Sequence, residues 1–249
     1  MIYVILQEAI KHAHSMFKHK TANIFYRDLE FCSQSRKTKY SQEKIKDRNN
    51  RLYNLQNILH SLYTPENQYK YIVSENEKGN SLVGNCFELS LVAFMYLANN
   101  KAKELNQAFK INSMKSKPIY IKIMSTSPKR YNHSFVMLSQ IKNEYINRNL
   151  PKGAWICDPW ANIVCRSEEY NAQWKNTMHQ WEAQGKYLNL SESHQLPTNK
   201  ISGKLCEDRF SPLYKDTYFM VENSEKITAH QTIIKPDGQV LVDDSSDDE

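Results

Sequence analysis

The sequence predicts an α+β fold, with helices first and an antiparallel sheet after them. Three observations carry this: helical spacing of apolar residues through the first third, a nearly unbroken apolar run after residue 86, and an apolar period of two beyond residue 119. Ile2, Leu6, Ala9, Ala13, Met16 and Phe17 mark a first helix. Leu52, Leu55, Leu59 and Leu62 mark a second of roughly twenty residues. The turn-rich "VSENEKGNSLVGN" then leads into "GNCFELSLVAFMYLANN", residues 84–100, where Phe87, Leu91, Phe94, Met95 and Ala98 leave few polar positions. That helix is expected to be buried nearly all round. Ile119, Ile121 and Ile123 alternate with Tyr120 and Lys122, and "HSFVMLS" and "AWICD" continue in strand-forming residues. Residues 168–185 return to helix, with Ser167 as N-cap, Glu168 and Glu169 in the first turn, Trp174, Met178 and Trp181 on one face, and Gly185 as the stop. Farther on, "TYFMV" reads as a strand, and "QTII" and "QVLV" around "KPDG" read as a terminal hairpin.

Composition is that of an ordinary globular chain: 249 residues, 40% hydrophobic and 24% charged. Such a length suits one large domain, or a core with a helical annex, burying roughly 70–75% of its unfolded surface. No apolar run approaches the ~20 residues of a membrane span, and "MIYVILQEA" lacks the basic start and full apolar stretch of a signal peptide. Cys32, Cys86, Cys157, Cys165 and Cys206 are odd in number and contain no C-x-x-C pair, so neither a disulfide framework nor a zinc knuckle is expected. Net charge is +6, yet Asp243, Asp244, Asp247, Asp248 and Glu249 crowd the end, so a basic body carries an acidic tail read as disordered. Arg36, Lys37, Lys39, Lys44, Lys46, Arg48 and Arg51 gather within residues 35–51. Without an aromatic stacking platform or a nucleic-acid motif, this stretch reads as a solvated linker and helix face, and no nucleic-acid partner is expected.

Chemistry centres on Cys86. A thiol reacts as thiolate, and a helix N-terminus, with about half a positive charge and unpaired N–H groups, lowers an ordinary thiol pKa of ~8.5 toward ~3.5–7.5. Gly84 is read as permitting a tight turn of positive φ that brings the chain to a substrate. The bland alternative, a small buried hydrophobe, is the usual fate of a lone cysteine. Downstream, His133 starts one strand and Asp158 ends another, with a polar connection from Gln140 to Gly153. On a period of two, His133, Phe135 and Met137 share a face, as do Ile156 and Asp158. Antiparallel pairing brings His133 and Asp158 to one edge. A thiol hydrolase needs those parts: a histidine to move the proton and a carboxylate to hold the imidazole tautomer.

"GNCFELS", "HSFVML" and "CDPWAN" together resemble the papain-like fold of bacterial toxins and translocated effectors, a group that includes cysteine proteases and glutamine deamidases. The resemblance covers about residues 79–165, at separations far shorter than in full-length papain-like proteases. It implies a central helix carrying the nucleophile Cys86, packed on an antiparallel sheet carrying the general base His133 and the orienting Asp158. It also implies an oxyanion donor six residues before the cysteine, where Asn80 stands, and a tryptophan two residues after the third member, where Trp160 stands. Asn is shorter than the usual Gln, so Asn85 or the Cys86 backbone N–H is the alternative donor, each worth about 3–4 kcal/mol to a transition state.

Competing motifs fare worse. "GNSLVG" gives the glycine spacing of a phosphate loop, but Asn85 and Cys86 stand where Lys and Ser or Thr are required. His12 and His14, beside His19, point about 200° apart on a helix, form no metal site and are read as exposed. Cys157 reads as core. Trp155, Trp174 and Trp181 read as packing residues. The expected organisation is a helical N-terminal region over 1–70, a papain-like catalytic domain over 71–241 and the acidic tail over 242–249. The expected function is a cofactor-free, metal-free thiol enzyme of bacterial effector type that modifies an amide on a target protein, of a host cell in the exported case, by glutamine deamidation or transglutamination. Cysteine proteolysis with the same residues and a non-catalytic binding module on the same fold are the alternatives. The bacterial cytoplasm, or a host cytoplasm after secretion, is the expected location.

Overall fold

A computed structural model describes residues 1–18, 23–111, 117–127, 133–142, 149–189 and 209–242. His19, Cys206, the middle of the 140–153 connection and the acidic tail beyond Val242 lie outside the described residues. The architecture is α+β. Helices α1 (Ile2–Met16), α2 (Gln34–Lys39), α3 (Gln42–Ser61), α4 (Pro65–Glu77), α5 (Cys86–Asn100) and α6 (Ala102–Ile111) come first, with strand β1 (Ile24–Tyr26) and a short 3-10 turn between α1 and α2. Strands β2 (Ile119–Ser127), β3 (Ser134–Ser139), β4 (Trp155–Asp158) and β5 (Ile163–Arg166) follow. Then come α7 (Tyr170–Ala183), β6 (Lys186–Asn189), β7 (Arg209–Phe210), the short helices α8 (Lys215–Tyr218) and α9 (Met220–Asn223), and the hairpin of β8 (Glu225–Ile234) with β9 (Val240–Val242).

The main sheet has six antiparallel strands in the order β5-β4-β3-β2-β8-β9, and β1, β6 and β7 form a second, small sheet. Helices cover both faces of the main sheet. The Cys157 thiol meets the Leu6 carbonyl of α1 at 3.6 Å, while the next side chain, Asp158, accepts from Tyr170 of α7. Successive residues of a strand point to opposite faces, so α1 and α7 lie on opposite sides. Helix α5 packs beside α1 in one continuous core with Ile121, Ile123, Val136 and Ile156. From Glu88 to Ala98 only Tyr96 of α5 is not buried, as its composition predicts. No helix among the described residues is long and apolar enough to cross a membrane.

Several local expectations are corrected. "TYFMV" joins α8 to α9, because Thr217 and Val221 are buried where these helices pack along α7, and the Trp174 indole donates to the Thr217 carbonyl at 2.9 Å. Ser167 does not cap α7. Its hydroxyl donates to the Pro151 carbonyl at 2.7 Å, and Ser167–Glu169 form a 3-10 turn ahead of the helix. His12 is half-buried, stacked on Tyr96 and bonded to the Tyr69 hydroxyl at 3.1 Å. The basic segment is also less open than its composition suggests: Arg48 is 3% exposed, and its guanidinium lies over Tyr40 while Arg36 lies over Tyr26. Those two tyrosines meet edge to face, so aromatic rings do accompany the basic residues, which occupy them. Gly185, at φ +67°, ends α7 as expected, and Lys235–Gln239 closes the Pro-Asp-Gly hairpin.

Candidate active site

Cys86 is the first residue of α5 and is half-buried. The start of this helix is fixed by a capping box: the Glu88 carboxylate accepts the Asn85 backbone N–H at 2.8 Å, and its other oxygen accepts the Gln56 amide of α3 at 2.9 Å. Glu88 is itself 2% exposed, a carboxylate made tolerable by these donors. The turn before it is tight for a reason other than the expected one. Gly84 has no positive φ, but a Cβ there would stand 2.9 Å from the Phe17 ring, so its smallness lets the end of α1 pack against the turn before Cys86.

Strands β3 and β4 pair antiparallel, with Met137 opposite Ile156 and Val136 opposite Cys157. This register sets the start of β3 beside the end of β4, and His133 Nε2 bonds Asp158 Oδ2 at 2.8 Å. Both side chains are buried, His133 at 2% and Asp158 at 0% exposure. His133 is held from behind as well, since its backbone N–H donates to the Thr126 hydroxyl at 2.8 Å. With Nε2 engaged by the carboxylate, the imidazole also interacts electrostatically with the Cys86 thiol. Burial pulls the imidazole pKa down, but the Asp158 charge and hydrogen bond and the Cys86 thiol outweigh it and hold the pKa well above the ordinary value.

Asp158 receives more than the histidine. Its Oδ1 accepts the Ala161 N–H at 3.0 Å, and its Oδ2 accepts the Tyr170 hydroxyl at 2.8 Å. The Trp160 ring lies beside the histidine, with ring centroids 5.3 Å apart, and its indole donates to Asn23. Trp174 does the same from α7 at 4.9 Å. These rings keep water from the His133–Asp158 bond, where the lower dielectric strengthens it.

Cys86, His133, Asp158 and Trp160 are thus brought together, with Asn85 at the cap. Asn80 is not aimed at them in the same way: it ends the α4 turn, is exposed, and donates its amide to Glu75 at 2.6 Å. The sequence reading missed Tyr170 and Glu88 and took Trp174 for packing alone. Asn85-x-x-Glu88 has capping-box spacing and is a signal by which Glu88 is readable, whereas Tyr170 is recognised only once α7 is folded over the sheet. The two buried thiols of β4 and β5 are held in the thiol form. Burial pushes Cys165 up to about 12 and Cys157 higher still. Among the described residues no cluster of His, Cys, Asp and Glu is suited to hold a metal. No protein-family model matches the chain, and no curated protein and no solved structure matches it.

Proposed function

We propose that the chain is a thiol-dependent, amide-modifying enzyme with a papain-like catalytic arrangement, acting on glutamine side chains of a target protein. One observation carries the reading: a fully buried His133–Asp158 pair at 2.8 Å beside a cysteine that opens a helix. The resemblance to bacterial effectors supports the choice of a protein substrate and of glutamine chemistry.

In this mechanism the Cys86 thiol passes its proton to His133, and the sulfur attacks the carboxamide carbon. Negative charge gathers on the carbonyl oxygen, for which the Cys86 backbone N–H at the helix start and the side-chain amide of Asn85 are the candidate donors. The imidazolium then gives its proton to the departing nitrogen, ammonia leaves, and a thioester joins Cys86 to the substrate. His133 next takes a proton from water as the oxygen attacks the thioester. The sulfur departs and the glutamine has become glutamate. An amine in place of water gives the transglutamination product by the same route. Asp158 holds the imidazole tautomer throughout and balances its charge.

The test needs no known substrate at first. Iodoacetamide at neutral pH, followed by peptide mapping, is expected to label Cys86 ahead of Cys32, Cys157, Cys165 and Cys206; preferential labelling elsewhere, or at no cysteine, sinks the reading. Intact mass of candidate target proteins then identifies the reaction: a gain of about one dalton for deamidation, an amine joined with loss of ammonia for transglutamination, or fragments, which would replace the glutamine reading by proteolysis. Each product must vanish in Cys86→Ala with the circular dichroism spectrum unchanged.

A further inference from the structure

We propose that Tyr170 is a positioning residue of this site, whose phenol sets how strongly Asp158 holds the His133 proton; the inference rests on the roles given above to His133 and Asp158. Tyr170 is the first residue of α7 and is 0% exposed. Its ring is fixed without help from the hydroxyl, by Phe135 at 4.9 Å and by Trp174 one turn along the helix at 6.5 Å. A phenylalanine would fill that space equally well, so the packing does not call for an oxygen. The oxygen's partner is the carboxylate Oδ2 that also accepts from His133 Nε2, each at 2.8 Å.

Two donors on one oxygen compete for its charge. The phenol is a donor at every working pH, because burial, the Asp158 charge and its hydrogen bond raise its pKa well above the ordinary value, with Cys165 of β5 and Cys86 of α5 adding to the effect. Each share of the Asp158 charge drawn to Tyr170 is a share not spent on the imidazolium. The imidazolium is therefore a stronger acid than it would be beside Asp158 alone, which suits a group that must release its proton to a leaving amine. The second oxygen, Oδ1, is tied to the Ala161 N–H, so the carboxylate cannot rotate away from this competition.

The experiment follows the His133 ring nitrogens by NMR in histidine-labelled full-length protein as pH is raised. In Tyr170→Phe the midpoint for loss of the imidazolium proton is expected to move up by about one pH unit, the worth of one hydrogen bond to a charged group, with an unchanged circular dichroism spectrum. A midpoint that stays in place or moves down overturns the proposal. Should Tyr170→Phe fail to fold, 3-fluorotyrosine placed at position 170 keeps the shape but donates more strongly, and must move the midpoint down; no movement again overturns it. Iodoacetamide mapping of the wild-type protein distinguishes the two claims. Loss of Cys86 selectivity would sink the enzyme reading while the His133 titration still reported on Tyr170.

Discussion

Replacing Asp158 by asparagine keeps its shape and removes its charge, so the effect can be worked from its three donors. Asp158 accepts from His133 Nε2, the Tyr170 hydroxyl and the Ala161 N–H at 0% exposure. An asparagine offers one oxygen and one NH2. If its oxygen keeps Ala161, the NH2 is driven against the Tyr170 hydroxyl and the imidazole; if the oxygen turns to them, Ala161 is orphaned. One charge-assisted bond is lost, at about 1.5–3 kcal/mol, and one buried donor is left unsatisfied, at about 1–3 kcal/mol. The expected loss of stability is therefore about 3–5 kcal/mol in urea denaturation at pH 6, in line with breaking a buried charge pair. The pH dependence carries the same information. His133 has a folded pKa raised above its ordinary 6.5. Its contribution is thus complete below pH 6.5 and is lost as pH rises through the folded value. The wild-type protein should lose stability from neutral to alkaline pH, and Asp158→Asn should show a flatter curve there because the raising partner is gone. A loss under about 1 kcal/mol, or wild-type and variant curves that stay parallel, would refute the assigned pairing.

Glu88→Ala removes the acceptor of both Asn85 N–H and Gln56, and should cost about 1–2 kcal/mol by urea denaturation while slowing Cys86 alkylation. Gly84→Ala places a methyl against Phe17 and should destabilise by about 1–3 kcal/mol, read as a drop in melting temperature; an unchanged melting temperature would mean that α1 can shift freely there. Asn80→Ala and Asn85→Ala separate the two oxyanion candidates: turnover of a substrate identified by mass should change little in the first and fall by about a hundredfold in the second if the Asn85 side chain is a donor.

Much of the site was readable because its parts stand at element boundaries that composition marks. An apolar run that begins at Cys86 announces a buried helix, the alternation at 119–123 announces a strand, and the strand-forming residues of "HSFVMLS" and "AWICD" announce two more that, paired antiparallel, bring His133 beside Asp158. What was not readable depends on partners distant in the chain. Gly84 looks like a turn glycine, but its constraint is the Phe17 ring, sixty-odd residues earlier. Asn80 has the right spacing for an oxyanion donor, yet Glu75 one turn back takes its amide. "TYFMV" has strand propensity that the floor beneath α7 overrides. Tyr170 resembles any aromatic at a helix start until β4 brings a carboxylate to its hydroxyl.

The packing of α1 has a consequence for biosynthesis. Its apolar face, from Ile2 to Ala13, leaves the ribosome before the surfaces that cover it, α5 and then β4, whose Cys157 meets the Leu6 carbonyl. Strand β8, the neighbour of β2, arrives later still. A nascent chain thus carries an uncovered greasy helix until α5 has been made, which invites chaperone capture. The turn before Cys86, set against Phe17 and tied to α3 through Glu88 and Gln56, has its partners as soon as α5 is made, whereas His133 waits for Asp158 of β4, and Asp158 for Tyr170 of α7, so the two halves of the site are completed at different times.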